Sequence, residues 1–387
     1  MTSRRIPSDF EPNELTKLLE EKQRSGTRVL DLTETNPARL GLGGAGPEEL
    51  RALADARGAR YDPDPQGMRS AREEVARYLA ARPGSEQAPS PDDLFLVGST
   101  SEAYAHLFRL LCDPGDEILV PRPSYPLFEP LAALESVRTE RYRLVHDERW
   151  SLDLDSLEAA ISSRTRAVVV VEPNNPTGSC LTREEAAHVE SLCAERGVAL
   201  VSDEVFGDFP RPPRRALPTM LGNRRALTFV LGGLSKTCGM PQMKVAWIAL
   251  AGPDAERREA ARGLEWIADL FLSPSTPVQA ALPALLGARH AFQERLRRRL
   301  EENGARLASL GKKGDGFRVW DAEGGWAAVL ETPPAGNEFA LRLLEEQNVW
   351  VHPGHFYEIG HERCVVLSLL QAPEVFAEAV ARMERLR

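Results

Sequence analysis

The chain has 387 residues, 42% of them hydrophobic and 27% charged, the balance of a soluble globular protein long enough for two cores. A formal charge of −9 at pH 7 argues against a nucleic-acid partner, and no apolar run approaches the ~20 residues that span a bilayer, so no membrane is expected either. Cys112, Cys180, Cys193, Cys238 and Cys364 are scattered, odd in number and free of any C-x-x-C pair, which fits a reduced, cytoplasmic protein and offers no zinc site.

At the N-terminus, Met1 to Phe10 is basic but lacks the apolar core of a signal peptide. The spacing Gly41-x-Gly43-x-x-Gly46 matches a dinucleotide fingerprint, but the nearest strand pattern ends around Thr33 and Thr35-Asn-Pro-Ala-Arg39 intervenes. That argues against the strand–turn–helix context the fingerprint needs. Short apolar runs then predict strands at Asp93–Val97, Glu117–Pro121, Ala167–Glu172, Val198–Asp203, Ala226–Leu231 and Val245–Ala251. Helical patterns such as Ser101–Leu111 and Arg183–Glu195 fall between several of them. This alternation implies a mostly parallel sheet covered on both faces, and the run Ala167-Val-Val-Val-Val171 is what a doubly covered strand looks like.

Beyond about residue 255 the pattern changes. A long helical stretch from Pro277 to about Leu310 leads to short strands at Phe317–Trp320, Ala327–Leu330, Val349–His352 and Cys364–Leu369, and then to an amphipathic helix over Glu374–Arg387. Within the long helical stretch Arg295, Arg297, Arg298 and Arg299 alternate with Glu294, Glu301 and Glu302 and read as a solvated helix face. The expected fold class is α/β, with a large domain over residues 46–270 and a second, smaller α+β domain made from residues 1–45 and 271–387.

Four motifs sit at the carboxyl ends of predicted strands, where open α/β sheets bind ligands. Gly98-Ser99-Thr100-Ser101-Glu102-Ala103 opens a helix whose amides and dipole suit a phosphate, although Ser99 or Ser101 could equally serve as a plain N-cap. Pro173-Asn174-Asn175-Pro176-Thr177-Gly178 is ordinary turn chemistry that also offers an Asn side chain to a ligand. Asp203-Glu204 can pair with a cationic ring nitrogen or cap the next segment. Gly232-Gly233-Leu234-Ser235-Lys236 holds a Lys directly after a strand. His352 and His355 flank Pro353-Gly354 with no third ligand nearby, so no metal is expected.

In this order, and with Tyr61-x5-Gly67 ahead of Ala71-Arg72-Glu73 and with Pro121-Arg-Pro-Ser-Tyr125-Pro, the set resembles the fold-type I enzymes that use pyridoxal 5'-phosphate (PLP), specifically the class I/II aminotransferases, across most of the chain. The resemblance implies the PLP-dependent transferase fold, with 46–270 as the PLP-binding domain. It implies a transaminase that moves an amino group between an amino acid and a 2-oxo acid through a Lys236 aldimine. A PLP-dependent lyase or cyclising enzyme acting on an amino-acid-like substrate is the alternative. Carried over by position, Lys236 and Asp203 would be catalytic, Asp203 pairing with the ring nitrogen of PLP. Asn175 would hydrogen-bond the ring oxygen, Tyr125 would stack on the ring, and Ser99, Thr100, Ser101 and Ser235 would bind the phosphate. Tyr61 would reach the phosphate of a neighbouring subunit, implying a homodimer with shared active sites.

Three positions depart from the family pattern. Phe206 stands where a Tyr would donate to the ring oxygen. Lys244 stands where an Arg would grip the phosphate, and a Lys cannot do so bidentately. Val366, in Cys364-Val365-Val366-Leu367-Ser368, stands where an Arg would clamp the substrate carboxylate. Arg363 should point to the opposite face of that strand, which leaves Asn36, Arg39 and Asn175 as the substrate-binding candidates.

Overall fold

The apolar runs of the middle of the chain assemble into one eight-stranded sheet. The structure, a computed structural model, describes residues 3–7, 10–83, 85, 88–213, 216–311, 316–333 and 335–386. Across the sheet the order is Leu94–Val97, Ala246–Ala251, Thr228–Gly233, Ala199–Asp203, Thr165–Val171, Glu117–Arg122, Arg138–His146 and Trp150–Leu152. The five strands from Thr228–Gly233 to Arg138–His146 are mutually parallel. Ala246–Ala251 runs against them, and Leu94–Val97 runs against it in turn. Six strands therefore deliver their carboxyl ends to one edge.

Alternation along each strand divides the sheet's side chains between two apolar layers. Leu96, Val168, Val170, Leu200 and Val230 meet the helices Arg69–Ala80, Arg183–Arg196 and Thr276–Gly287. Phe95, Val97, Val169, Val201 and Phe229 meet Thr100–Leu111 and Asp254–Phe271 on the other side. A third cluster gathers Leu15, Leu19, Leu30 and Leu32 with the helices Arg289–Gly311, Gly336–Gln347 and Pro373–Met383. Those helices cover an antiparallel sheet ordered Arg318–Val319, Ala327–Glu331, Cys364–Ser368, His352–Pro353.

Several elements differ from expectation, each for a local reason. The stretch Pro277–Leu310 is two helices, Thr276–Gly287 and Arg289–Gly311. The first turns Leu282, Leu285 and Leu286 to the large sheet, whereas Phe292 and Leu296 of the second face the third cluster. The Arg289 guanidinium donates to the Leu286 carbonyl at 2.7 Å where the chain turns. Val349–His352 is shared between two sheets, Val349–Trp350 pairing with Leu30–Asp31 and His352–Pro353 with Cys364–Ser368. The helix Asp254–Phe271 and the strands Arg138–His146 and Trp150–Leu152 have no counterpart among the predicted elements. The arginines of Arg289–Gly311 are more than a solvated face: Arg295, Arg297 and Arg299 donate to the carbonyls of Leu42, Asp208 and Leu370. The last helix ends at Met383; Arg387, like residues 1–2 and 8–9 of the basic N-terminal stretch, lies outside the described residues.

Candidate active site

Each motif arrives at the sheet edge on its own strand. Asp203 ends Ala199–Asp203, and Lys236 sits on the single turn Leu234–Thr237 that follows Thr228–Gly233. Asn175 lies in the turn after Thr165–Val171, and Tyr125 follows Glu117–Arg122. Thr100 opens the twelve-residue helix Thr100–Leu111. Neighbouring strands lie only ~4.8 Å apart, so these side chains converge on one cavity of about 270 Å³. Its far wall comes from the smaller sheet and its surroundings: Trp326, Ala327, His352, Tyr357, Val366 and Ser368.

The charges in this cavity are set by burial. Asp203 is buried, and desolvation pushes its carboxyl up to about 6. Two donors oppose that rise: the Tyr104 hydroxyl at 2.9 Å and the Val205 amide at 3.2 Å. Burial likewise pulls the Lys236 amine down to about 8, against the attraction of Asp203 and Glu34. The amine lies 5.0 Å from the ring centre of Trp326 and 5.5 Å from that of Phe206. A proton-carrying amine and a carboxylate, both displaced toward neutrality, are what acid–base work near pH 7 requires.

Of the residues singled out in the sequence, Lys236, Asp203, Asn175, Tyr125, Thr100 and Phe206 line the cavity. Ser99 acts as the N-cap, its Oγ accepting from the Glu102 amide at 3.1 Å. Ser101 and Ser235 lie beside the wall in sequence without lining it, and Lys244 is exposed with φ of 52° just before Ala246–Ala251. Tyr61 is 78% exposed and away from this cavity. Asn36 uses its side chain on the Ala38 amide, and Arg39 pairs with Glu34 at 3.2 Å on the surface. Arg363 is likewise exposed and paired with Glu331. Val366 does line the cavity.

Sequence reasoning missed Tyr104, Trp326 and Tyr357, and weighed His352 only as a metal ligand. Tyr104 lies in the apolar run of an amphipathic helix, where the ordinary reading of an aromatic is core packing. The other three come from a part of the chain whose fold brings them across only in three dimensions. Glu204, next to Asp203, faces away: it pairs with buried Arg82 at 2.8 Å and accepts from the Met220 amide. It holds the fold together.

Pyridoxal phosphate fits these residues. A buried carboxylate and a desolvated amine share one cavity with an aromatic face, Tyr125, that is half exposed, and the amides of a long helix begin at Thr100. Ser124 also lines it, and among the described residues its buried Oγ finds no hydrogen-bond partner; a polar ligand atom would satisfy it. When bound, the cofactor supplies an electron-withdrawing ring that takes up the charge left as a proton leaves the carbon bearing an amino group. It would be within the chemistry of a desolvated amine in the same cavity, Lys236 Nζ, to take up such a proton and return it elsewhere. Asp203, hydrogen-bonded by Tyr104, brings a buried carboxyl group to the cavity, and the Trp326 and Phe206 rings lie beside the amine.

Comparison with known proteins places the chain among relatives of one kind. The family described as Aminotransferase class I and II matches residues 28–381. The glutamate-pyruvate aminotransferase AlaA of Escherichia coli (strain K12) is 29% identical over 285 residues, 72% of this chain and 67% of the relative. An alanine aminotransferase of Mycobacterium tuberculosis (strain ATCC 25618 / H37Rv) is 27% identical over 366 residues, covering 91% and 78%. Among solved structures, the alanine aminotransferase from Pyrococcus furiosus superposes with a TM-score of 0.89 at 24% identity, over 100% of this chain and 99% of that one.

Proposed function

The chain belongs to the class I and II aminotransferase family, whose pyridoxal-phosphate-dependent enzymes transfer amino groups, and from that premise we propose how its own residues divide the work. Lys236 carries the cofactor and shuttles the proton; Asp203 meets the ring nitrogen. Asn175 faces the ring oxygen and Tyr125 the ring, with Phe206 beside them. Thr100 and the helix amides, with Ser99, Ser101, Ser235 and Lys244 at the rim, hold the phosphate. The substrates are an amino acid and a 2-oxo acid, with Asn36, Arg39 and Asn175 at the substrate side. The observation that carries this reading is the pairing of Lys236 and Asp203 in one cavity, with acidities moved to about 8 and about 6.

Three further parts belong to the same reading. The enzyme works as a homodimer with shared active sites, supported by the exposure of Tyr61 and of Trp266, Leu270 and Phe271. It is cytoplasmic, which the five unbridged cysteines favour; among the described residues no helix is long and apolar enough to cross a membrane. Residues 46–270 form the cofactor-binding domain and residues 1–45 with 271–387 the smaller one, the helix Thr276–Gly287 packing onto the larger core.

Borohydride reduction of the cofactor-loaded enzyme, followed by peptide mapping, tests the anchor: the label belongs on the peptide containing Lys236, and a label elsewhere overturns the assignment. Mixing the loaded enzyme with single amino acids tests the reaction. Conversion of the cofactor to its amine form is expected, and release of ammonia without it would point to elimination instead.

A further inference from the structure

Arg211 brings an unneutralised cation to the cavity wall. Its Nε donates to the Gly325 carbonyl at 3.1 Å and its Nη2 to the Ala327 carbonyl, so the guanidinium brackets Trp326. Trp326 and Ala327 both line the cavity. The backbone fixes this approach: the Arg211 amide donates to the Glu323 carbonyl at 2.8 Å, and the Gly325 amide to the Phe209 carbonyl at 3.0 Å. Arg211 keeps some exposure, yet lies deep enough that desolvation draws its pKa down to about 10. It stays charged at pH 7.

Two buried arginines elsewhere are neutralised, Arg72 by Asp64 at 3.0 Å and Arg82 by Glu204 at 2.8 Å. Among the described residues no carboxylate pairs with Arg211, and no neighbouring charge contributes to its shift. The two carbonyls take Nε and Nη2 of a group with five N–H donors, leaving Nη1 without a partner among the described residues. A charge drawn out of water is costly unless it is paired, so this guanidinium favours an anion beside it. The wall is thin at this point. Ala327 presents only a methyl group, and the pairing of Ala327 with Ser368 and of Val329 with Val366 puts Ala327, Val366 and Ser368 on one face. All three line the cavity.

Resting on the aminotransferase reading above, we propose that Arg211 is the specificity-determining cation for the carboxylate that the amino acid and the 2-oxo acid share. Its Nη1 meets that carboxylate at the Ala327 end of the cavity, while the Gly325 and Ala327 carbonyls hold the other side of the guanidinium. Both substrates then enter in one orientation, with the carboxylate toward the smaller sheet and the reacting carbon toward Lys236. Val366 serves this arrangement as a packing surface. The selecting charge comes from the segment that follows Asp203 in the chain, not from the strand Cys364–Ser368.

Two unreactive probes of matched shape, propanoate and propanamide, test the charge when titrated into the cofactor-loaded enzyme by calorimetry at pH 7. The native enzyme should hold propanoate at least about tenfold more tightly. Arg211→Gln removes the charge but keeps a donor for the carbonyls, and should erase that preference. Arg211→Lys keeps the charge and should keep the order, with circular dichroism checking that each variant is folded. A residue that only braced the Trp326 segment would weaken both probes alike. A ratio unmoved in Arg211→Gln therefore overturns the proposal, and so does a preference lost in both variants. Equal binding, tighter binding of the amide, or binding of neither probe to the native enzyme overturns it without any variant. In parallel, single amino acids are mixed with the loaded enzyme while the visible band is followed. A band unchanged by every one of them would overturn amino transfer itself, and the ratio of the two probes would still decide the role of Arg211.

Discussion

At the scale of single residues, the cavity depends on a hydrogen bond that no motif announces. The Tyr104 hydroxyl reaches Asp203 Oδ2 at 2.9 Å in a buried setting, where a hydrogen bond to a charged group contributes about 1.5–3 kcal/mol. Tyr104→Phe should weaken cofactor binding about tenfold and move the midpoint of its pH dependence upward, because the ionised carboxylate loses a donor. Equilibrium dialysis of the cofactor across pH checks this; a change in melting temperature with an unmoved midpoint would make Tyr104 a packing residue only. Asp203 also leaves a signature on the cofactor-free protein. Its folded pKa of about 6 lies above the ordinary 3.8, so the folded state keeps a proton that the unfolded chain has lost. Stability from this group is present below about pH 4 and is lost as pH rises to about 6, a fall of about 3 kcal/mol. Burial depresses the His106 imidazole to about 4, which opposes this fall over the same range, so urea unfolding of the cofactor-free protein at pH 4 and pH 7 is read against Asp203→Asn: between those pH values the native protein should lose about 3 kcal/mol relative to the variant.

At the scale of elements, what the sequence revealed follows from how each piece is buried. Strands covered on both faces, such as Thr165–Val171, have almost no polar positions and are plain to read. Arg138–His146 lies near the sheet's edge with four exposed or half-exposed charged side chains among its nine residues, so its pattern gives no apolar run. Asp254–Phe271 hides in the same way behind a charged first half. For the site, the residues at strand ends were legible because chain order places them, whereas Trp326, His352 and Tyr357 depend on how the smaller sheet meets the larger. One glycine makes that meeting possible. Gly178 has φ of 67°, and its carbonyl accepts from the amides of Glu323 and Gly324 at 2.8 and 3.0 Å. A Cβ there would lie 2.5 Å from the Gly324 oxygen and 2.6 Å from the Ala322 Cβ. Gly178→Ala therefore combines strain with a clash, and should cost about 1–3 kcal/mol or more in a thermal melt. Because the Asn175 turn and the Trp326 segment are joined here, cofactor affinity should fall with it.

At the scale of the whole molecule, the surface carries a feature that one chain alone does not explain. Trp266, Leu270, Phe271 and Leu272 stand together at the end of the helix Asp254–Phe271, exposed by 69%, 61%, 50% and 54%. Trp266, Leu270 and Phe271 line a shallow groove with Leu110 and Ile267, and the Arg109 guanidinium lies over the Phe271 ring at 4.4 Å. Monomers rarely leave a patch of this kind in water, and buried aromatics dominate the energy of stable interfaces. The helix that carries the patch packs against Thr100–Leu111, the helix that opens at the cavity. A second copy seated on this face would bury the patch close to both active sites, which is where the exposed Tyr61 of one subunit is proposed to serve the other. Leu270→Glu places a charge at the centre of that face without touching the enzyme's own cavity. Sedimentation velocity should then show a dimer for the native protein and a monomer for the variant. The variant should also retain cofactor less well, since each cavity loses its neighbour. A native protein that sediments as a monomer would remove the shared site and leave Tyr61 a surface residue, and a Leu270→Glu variant that stays dimeric would move the interface to another face.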